Sequence, residues 1–343
     1  MKASLSALLL FCFLSGDFIY GQSPSIDKVR FFNDTSMLNA TISTNLGKVL
    51  RERKTGAQLR ATFSTTLPNA TFVNDPILLE IRGHMRKDYC YLPPLKIVFK
   101  CQNSSTLTPL GSLKLVSQCK TTATYEKYLL KEFLVYKIYN LLTDLSFRVR
   151  LLNVNFLDSS GKKKSITEHA FLMEDIKDLA KRNKCKDLKD VKLVSEATDR
   201  RQMTIVSIFE YMIGNLDWGV SANHNTRLIL SKKDSLKRPF VVPYDFDYSG
   251  LVNTDYALPP EGFDIQNVTE RIYRGAPRTR GEVNEVLDIF KQQKENIYAL
   301  INNFELLTLK SKKEMMSYLD GFFDQINKPD QVKYIFIQNA GIQ

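Results

Sequence analysis

Between Met212 and Leu251 the sequence runs MIGNLDWGVSANHNTRLIL, a polar turn, then RPFVVPYDFDYSGL. This stretch predicts a helix end broken at Gly214, a polar loop holding Asp217, and a strand over 226–230 opened by Asn225. After the turn SKKDSLK comes an apolar strand ending in Asp245 and Asp247. A loop Asp, an Asn at a strand start and an Asp at the end of the paired strand form a set that suits phosphoryl transfer. A metal bridging phosphates takes hard oxygen ligands, and a further carboxylate orients the attacking hydroxyl. Asp217 is therefore expected as the catalytic base and Asn225 and Asp245 as metal ligands. Asp247 is the alternative ligand, because residues two apart on a strand face one side. The plainer expectation is an N-capping Asp, a turn Asn and solvated carboxylates at a strand end.

Such a set needs a sheet and helices to hold it. ILLEIRGHM, PPLKIVFK and GSLKLVSQC read as strands of an antiparallel sheet, and 125–142 (YEKYLLKEFLVYKIYNLL) as an amphipathic helix. Two further strands follow, SFRVRLLNVNFLD and, after a GKKK turn, SITEHAFLMED. Residues 26–76 are polar, threonine-rich and weakly alternating, which suggests short exposed strands or an extended lead-in segment. The second half reads as mainly helical, with helices over 201–213, 282–303 and 311–325. The change near Glu174 divides a sheet-rich part (22–175, with 22–76 less defined) from a helical part (176–343) that carries the acidic hairpin.

Lys114, on the strand before the helix, and Glu132, inside it, are candidates for an ion pair that fixes a lysine against nucleotide phosphates. The alternative is a surface lysine and a Glu132 that interacts with its own helix. Arg82 and Lys96 are fallback phosphate contacts on neighbouring strands, and neither GxGxxG nor GxxxxGK occurs. Glu174-Asp175 marks the junction where a hinge would present backbone groups to a base. Arg271, Arg274, Arg278 and Arg280 either bind an acidic group or line a solvated loop.

The chain has 343 residues, 43% hydrophobic and 25% charged, which fits a folded globular protein. Its net charge of +11 favours an anionic partner, but the lysines are scattered rather than interleaved with aromatics, so nucleic acid is not expected. Lys2 precedes an apolar run over 5–14, and Ile19-Tyr20-Gly21 offers a cleavage site. That is the layout of a secretory signal (1–21), too short to span a membrane. The mature chain is expected to be exported, periplasmic or extracellular, with no transmembrane segment. Cys90, Cys101, Cys119 and Cys185 then permit up to two bridges, with Cys90–Cys119 preferred. Five Asn-x-Ser/Thr sequons stand at Asn33, Asn39, Asn69, Asn103 and Asn267.

Over Ile77 to Arg274 the order of parts resembles the spore-coat-protein-H (CotH) type of atypical kinase. The resemblance is carried by IRGHMRK, PPLKIVF, the YLLKEFLVYKIYNLL helix, FRVRLLNVNF with HAFLMED, the NLD loop with HN before a strand, and YDFD. NLDWGVSANHN is also similar to the NxDxHxxN arrangement of HipA-like kinases. The resemblance implies an α+β, two-lobed protein-kinase-like fold, with an antiparallel-sheet N-lobe bearing one helix and a mainly helical C-lobe. It matches Asp217 to the catalytic-loop Asp, Asn225 to the metal-binding Asn and Asp245 to the metal-binding Asp. It also implies ATP or another nucleotide with Mg or Mn, and a protein or small-molecule hydroxyl as acceptor. Asp217 and Asn225 are eight apart rather than the five usual in protein kinases, so Asn223 competes for the Asn role. A catalytically inactive binding protein of the cell envelope is the alternative. A third possibility is a hydrolase using the Asp245 and Asp247 carboxylates.

Overall fold

The structure is a computed structural model that describes residues 26–83, 86–99, 106–233 and 238–341. The signal segment 1–21, Cys101, the sequon at Asn103 and part of the hairpin turn (234–237) lie outside the described residues.

Seven strands close a barrel: β1 (Leu38–Thr44), β2 (Gln58–Thr66), β3 (Phe72–Ile81), β4 (Leu95–Val98), β5 (Ser112–Ser117), β6 (Val149–Asp158) and β7 (Ile166–Met173). Their order around it is β1-β2-β3-β4-β5-β7-β6. Six of the seven pairings are antiparallel, and the seventh is the parallel match of β1 to β6 from Leu38↔Leu152 to Thr44↔Asp158. Alternation fills the barrel: Ile42, Leu79, Ile97, Leu113, Leu152 and Val154 point inward and are fully or almost fully buried. The short helices α1 (Lys28–Asn33) and α2 (Leu46–Arg51) add Phe31, Phe32, Leu46 and Val49 to that core.

This closure overturns the expected two-lobed kinase-like fold with an antiparallel-sheet N-lobe. The stretch 26–76, read as exposed strands or a lead-in, supplies β1, β2 and the start of β3. Its inward residues are Leu38, Ala40, Ile42 and Thr44 on β1 and Leu59 and Phe63 on β2. Threonine and asparagine on the outward face mask the pattern. The parallel partner of β1 lies far along the chain, where no turn motif announces the pairing. Closure leaves the barrel without an edge strand among the described residues.

After α3 (Arg86–Tyr89), helix α4 (Ala123–Leu142) starts at Thr122, whose hydroxyl accepts from Tyr125 N–H. The sequence predicts an amphipathic helix here, yet α4 is buried nearly all round because its apolar residues cover every face. It packs against β7, α6 (Arg200–Ile213) and α7 (Arg280–Asn302). Together with α5 (Ile176–Arg182), α8 (Leu309–Ile326) and α9 (Pro329–Lys333), these helices build a second hydrophobic core. Helix α7 opens with a capping box between Thr279 and Glu282. A three-stranded sheet, β8 (Cys185–Asp187), β9 (Thr226–Ser231) and β10 (Phe240–Pro243), has the order β10-β9-β8.

Cys90 and Cys119 form a disulfide with Cα atoms 4.5 Å apart, as preferred from the sequence, and Cys185 is a buried free thiol. No helix among the described residues is long and apolar enough to cross a membrane.

Candidate functional site

The loop that carries Asp217 is built from the end of α6. Gly214 closes the helix in the left-handed region at φ 65°. A side chain there is blocked as well as strained, since a Cβ would lie 2.0 Å from the Tyr318 hydroxyl. Asn215 then organises the turn. Its amide donates to Glu210 Oε2 at 2.9 Å, its Oδ1 accepts from Asp217 N–H at 3.0 Å, and its carbonyl accepts from the Trp218 indole at 3.2 Å. Arg274 donates to the carbonyls of Leu216 at 2.8 Å and Trp218 at 2.6 Å, which fixes the loop from the other side. Burial pushes the Glu210 carboxyl up to about 8.

The structure brings Asp217, His224 and Asn225 together. Asp217 Oδ1 lies 2.7 Å from His224 Nε2, and Asp217 Oδ2 accepts from the Asn225 amide at 3.0 Å. The same amide also donates to the Asp217 carbonyl at 2.7 Å. Gly219 and His224 exchange backbone hydrogen bonds at 2.9 Å, so the eight-residue separation folds into a small hairpin. Asn223 and Asn225 both sit at φ 51°, a conformation asparagine tolerates. One wall of a cavity of about 340 Å³ is formed by Asp217, Tyr248 and Tyr256.

The candidate metal ligands Asp245 and Asp247 do not stand on a strand. Strand β10 ends at Pro243, and Asp245 lies beyond it at φ 69°, exposed. Asp247 is 8% exposed and accepts from the Tyr256 hydroxyl at 2.9 Å. The two carboxylates thus do not share one face of a strand, because the chain has already left the strand at Asp245. Burial, then the neighbouring Asp245, pushes the Asp247 carboxyl up to about 7. The Asn225 amide nitrogen donates to Asp217. Among the described residues no group of three or more His, Cys, Asp or Glu side chains is arranged to hold a metal ion. The Mg or Mn with ATP that the resemblance implies therefore finds no such set among the described residues.

On the barrel side, Lys114 stands on the outer face of β5 with its ammonium 4.5 Å from the centre of the Tyr244 ring. It does not pair with Glu132, which is buried beside Asp247, Asp245 and Arg86 with its carboxyl held well above the usual range, mainly by burial. Arg82 Nε donates to the Leu95 carbonyl at 3.2 Å and Arg86 Nη2 to the Ser117 carbonyl at 2.9 Å. Arg82, Arg86 and Lys114 all lie within the field of Asp245, whose N–H donates to Tyr136 Oη on α4 at 2.8 Å. Among the described residues none of these three cations has a carboxylate oxygen within the 4.0 Å of an ion pair. Burial, reinforced by Arg82, lowers Lys114 to about 8.

The other candidates are structural. Lys96, directly across from Lys114, pairs with Glu80 at 3.0 Å on the barrel surface. Glu174 holds Arg182 at 2.9 Å, and Asp175 caps α5. Arg271 stacks on Tyr318 at 3.8 Å and donates to the Met212 and Tyr318 carbonyls, while Arg278 donates to the Thr204 hydroxyl. Sequence reasoning missed Glu210 and Asn215, and it singled out Arg274 for an acidic partner or a solvated loop, not for the carbonyls that position Asp217. The Asn following a helix-ending glycine was the available signal.

No protein-family model matches this chain, and no curated protein matches it. The closed barrel and the lack of a metal-holding set among the described residues contradict the kinase-like phosphotransferase expected from the sequence. The inactive kinase-like scaffold goes with it, because it presumes the same fold.

Proposed function

We propose that this chain is a binding protein for an anionic small molecule, a phosphate ester or a carboxylate, held without metal where the outer face of the barrel meets the β9–β10 hairpin. The single observation that carries the reading is the convergence of Arg82, Arg86 and Lys114, three half-buried cations without ion-pair partners among the described residues. Glu132 and Asp247, the nearest buried carboxyls, are both pushed toward their neutral forms, which leaves the exposed Asp245 as the carboxylate facing the three cations. Guanidinium groups suit the planar and tetrahedral oxyanions of such ligands, and the lysine adds a point charge. The nucleotide partner expected from the sequence falls within this class as a ligand; a separate acceptor has no part in the reading.

Kinship with the CotH type is retained only as a proposal, supported by the order of segments over Ile77 to Arg274, and implies no activity here. Export is likewise proposed, supported by the apolar N-terminal run and by the Cys90–Cys119 bridge.

The test is a thermal-shift panel on the full mature chain in the presence of a chelator, using orthophosphate, glycerol 3-phosphate, nucleotides and citrate. A ligand that binds only the folded form raises the melting point. The reading expects at least one anion to do so, and the shift to vanish in Arg82→Ala and Lys114→Ala. A flat response across the panel, or a shift unchanged in both variants, sinks it.

A further inference from the structure

A different face of the molecule shows a second pattern. Across five barrel strands the residues Asn74, Ser64, Thr41, Asn155 and Thr167 stand opposite one another in register. Beside this row, Thr66 is opposite Phe72, and Asn39 is opposite Asn153, which is followed by His169. These residues alternate with inward Ala40, Ile42, Phe63 and Val154, so they form the outer face of the sheet. All of them except Asn74 and His169 border a groove of about 530 Å³.

The composition of that face is unusual for this chain. A quarter of its residues are charged, and outward strand positions normally take more than their share, yet neither row contains Asp, Glu, Lys or Arg. His169, at one end, is engaged by Glu126 at 2.6 Å. Arg150, at the groove edge, is 2% exposed and donates to the carbonyls of Phe31 and Asp34 and to Ser36 Oγ, so it offers no free charge. Hydrogen bonds order the rows: Ser64 to Asn74 at 2.7 Å, Asn153 to Asn39 at 3.1 Å and Thr167 to Asn155 at 3.3 Å. In each, an Asn Oδ1 accepts, and among the described residues the Nδ2 donors of Asn39, Asn74 and Asn155 are left without a partner. Phe72, 68% exposed, stands at the rim as an apolar plate.

From this arrangement we propose that the groove binds a neutral oligosaccharide. Amide donors and hydroxyls spaced across a sheet match ligand hydroxyls, which both donate and accept, and the exposed ring suits the apolar C–H face of a pyranose. An anionic or cationic partner would find no complementary charge there. Sequons at Asn39 and Asn69 lie on or beside the groove, so an attached glycan offers the same chemistry; the occupant proposed is a free saccharide.

The experiment uses the full chain made in a host that lacks N-glycosylation. It is screened against cello-, xylo-, manno-, malto- and chito-oligosaccharides, with sulfated and uronic-acid oligosaccharides as charged counterparts. The strongest neutral binder is then titrated into Phe72→Ala, Asn155→Ala and Ser64→Arg. The proposal expects binding of at least one neutral series, weakened about tenfold or more in each variant with the melting point retained. Binding of none of the neutral series, binding of the charged glycans alone, or unchanged affinity in correctly folded variants overturns it. The groove lies apart from Arg82 and Lys114, so variants at those positions are expected to leave glycan affinity unchanged.

Discussion

Glu210 is 1% exposed near the end of α6 and carries Asn215, the residue that orders the Asp217 loop. Replacing it by Gln keeps the shape and an acceptor for the Asn215 amide but removes the titrating group. In the folded chain the carboxyl is pushed up from 4.5 to about 8 by burial. Between those two values the folded state holds a proton that the unfolded chain has released. The stability associated with Glu210 is therefore fully present below about pH 4.5 and is lost as pH rises through about 8. At about 1.4 kcal/mol per pH unit, that interval sets an upper limit of about 5 kcal/mol. Urea unfolding of wild type and Glu210→Gln at about pH 5.5 and about pH 8.5 reads the effect as a difference of differences. Glu168 and Asp247, each pushed up to about 7, are present in both proteins and largely cancel. Wild type is expected to lose a few kcal/mol more than the variant on going alkaline. Parallel pH profiles for the two proteins would refute the claim that Glu210 is held neutral beneath the loop.

Gly214→Ala combines a φ of 65° with a Cβ placed 2.0 Å from the Tyr318 hydroxyl. It should cost about 2 to 5 kcal/mol in chemical unfolding. Adding Tyr318→Phe should recover part of that loss; strict additivity of the two changes would count against the contact. Replacing Cys90 and Cys119 by Ser opens a bridge spanning 29 residues and should lower stability by about 3 to 4 kcal/mol in the same assay. A loss below about 1 kcal/mol would indicate that the disulfide does not constrain the unfolded chain.

Local patterns carried much of the fold. The alternation in ILLEI and LKIV, the three- and four-residue apolar spacing of 125–142 and the VVP run of the hairpin appear as β3, β4, α4 and β10. What eluded the sequence was non-local: β1 looks exposed because its outward face is Asn, Thr and Ser, and its parallel pairing with β6 has no local signature. The site was half legible for a similar reason. Asp217 and Asn225 do meet, but one positive φ at Asp245 takes that carboxylate off the strand, and spacing alone does not disclose a change of backbone region. Lys114 and Glu132 are near in the chain yet face different partners, because Tyr244 takes the lysine and burial takes the glutamate.

The central claim is that Arg82, Arg86 and Lys114 form an anion site at the junction of barrel and hairpin. Calorimetric titration of glycerol 3-phosphate, with chelator present, into wild type and Lys114→Ala at about pH 7.5 and about pH 9 tests it most directly, since the charge of a phosphate monoester changes little over that range. Lys114 titrates near 8, so wild-type affinity should fall between the two pH values, while Lys114→Ala should bind weakly at both. Equal affinity in the two proteins at both pH values, or no binding by wild type, would contradict the account.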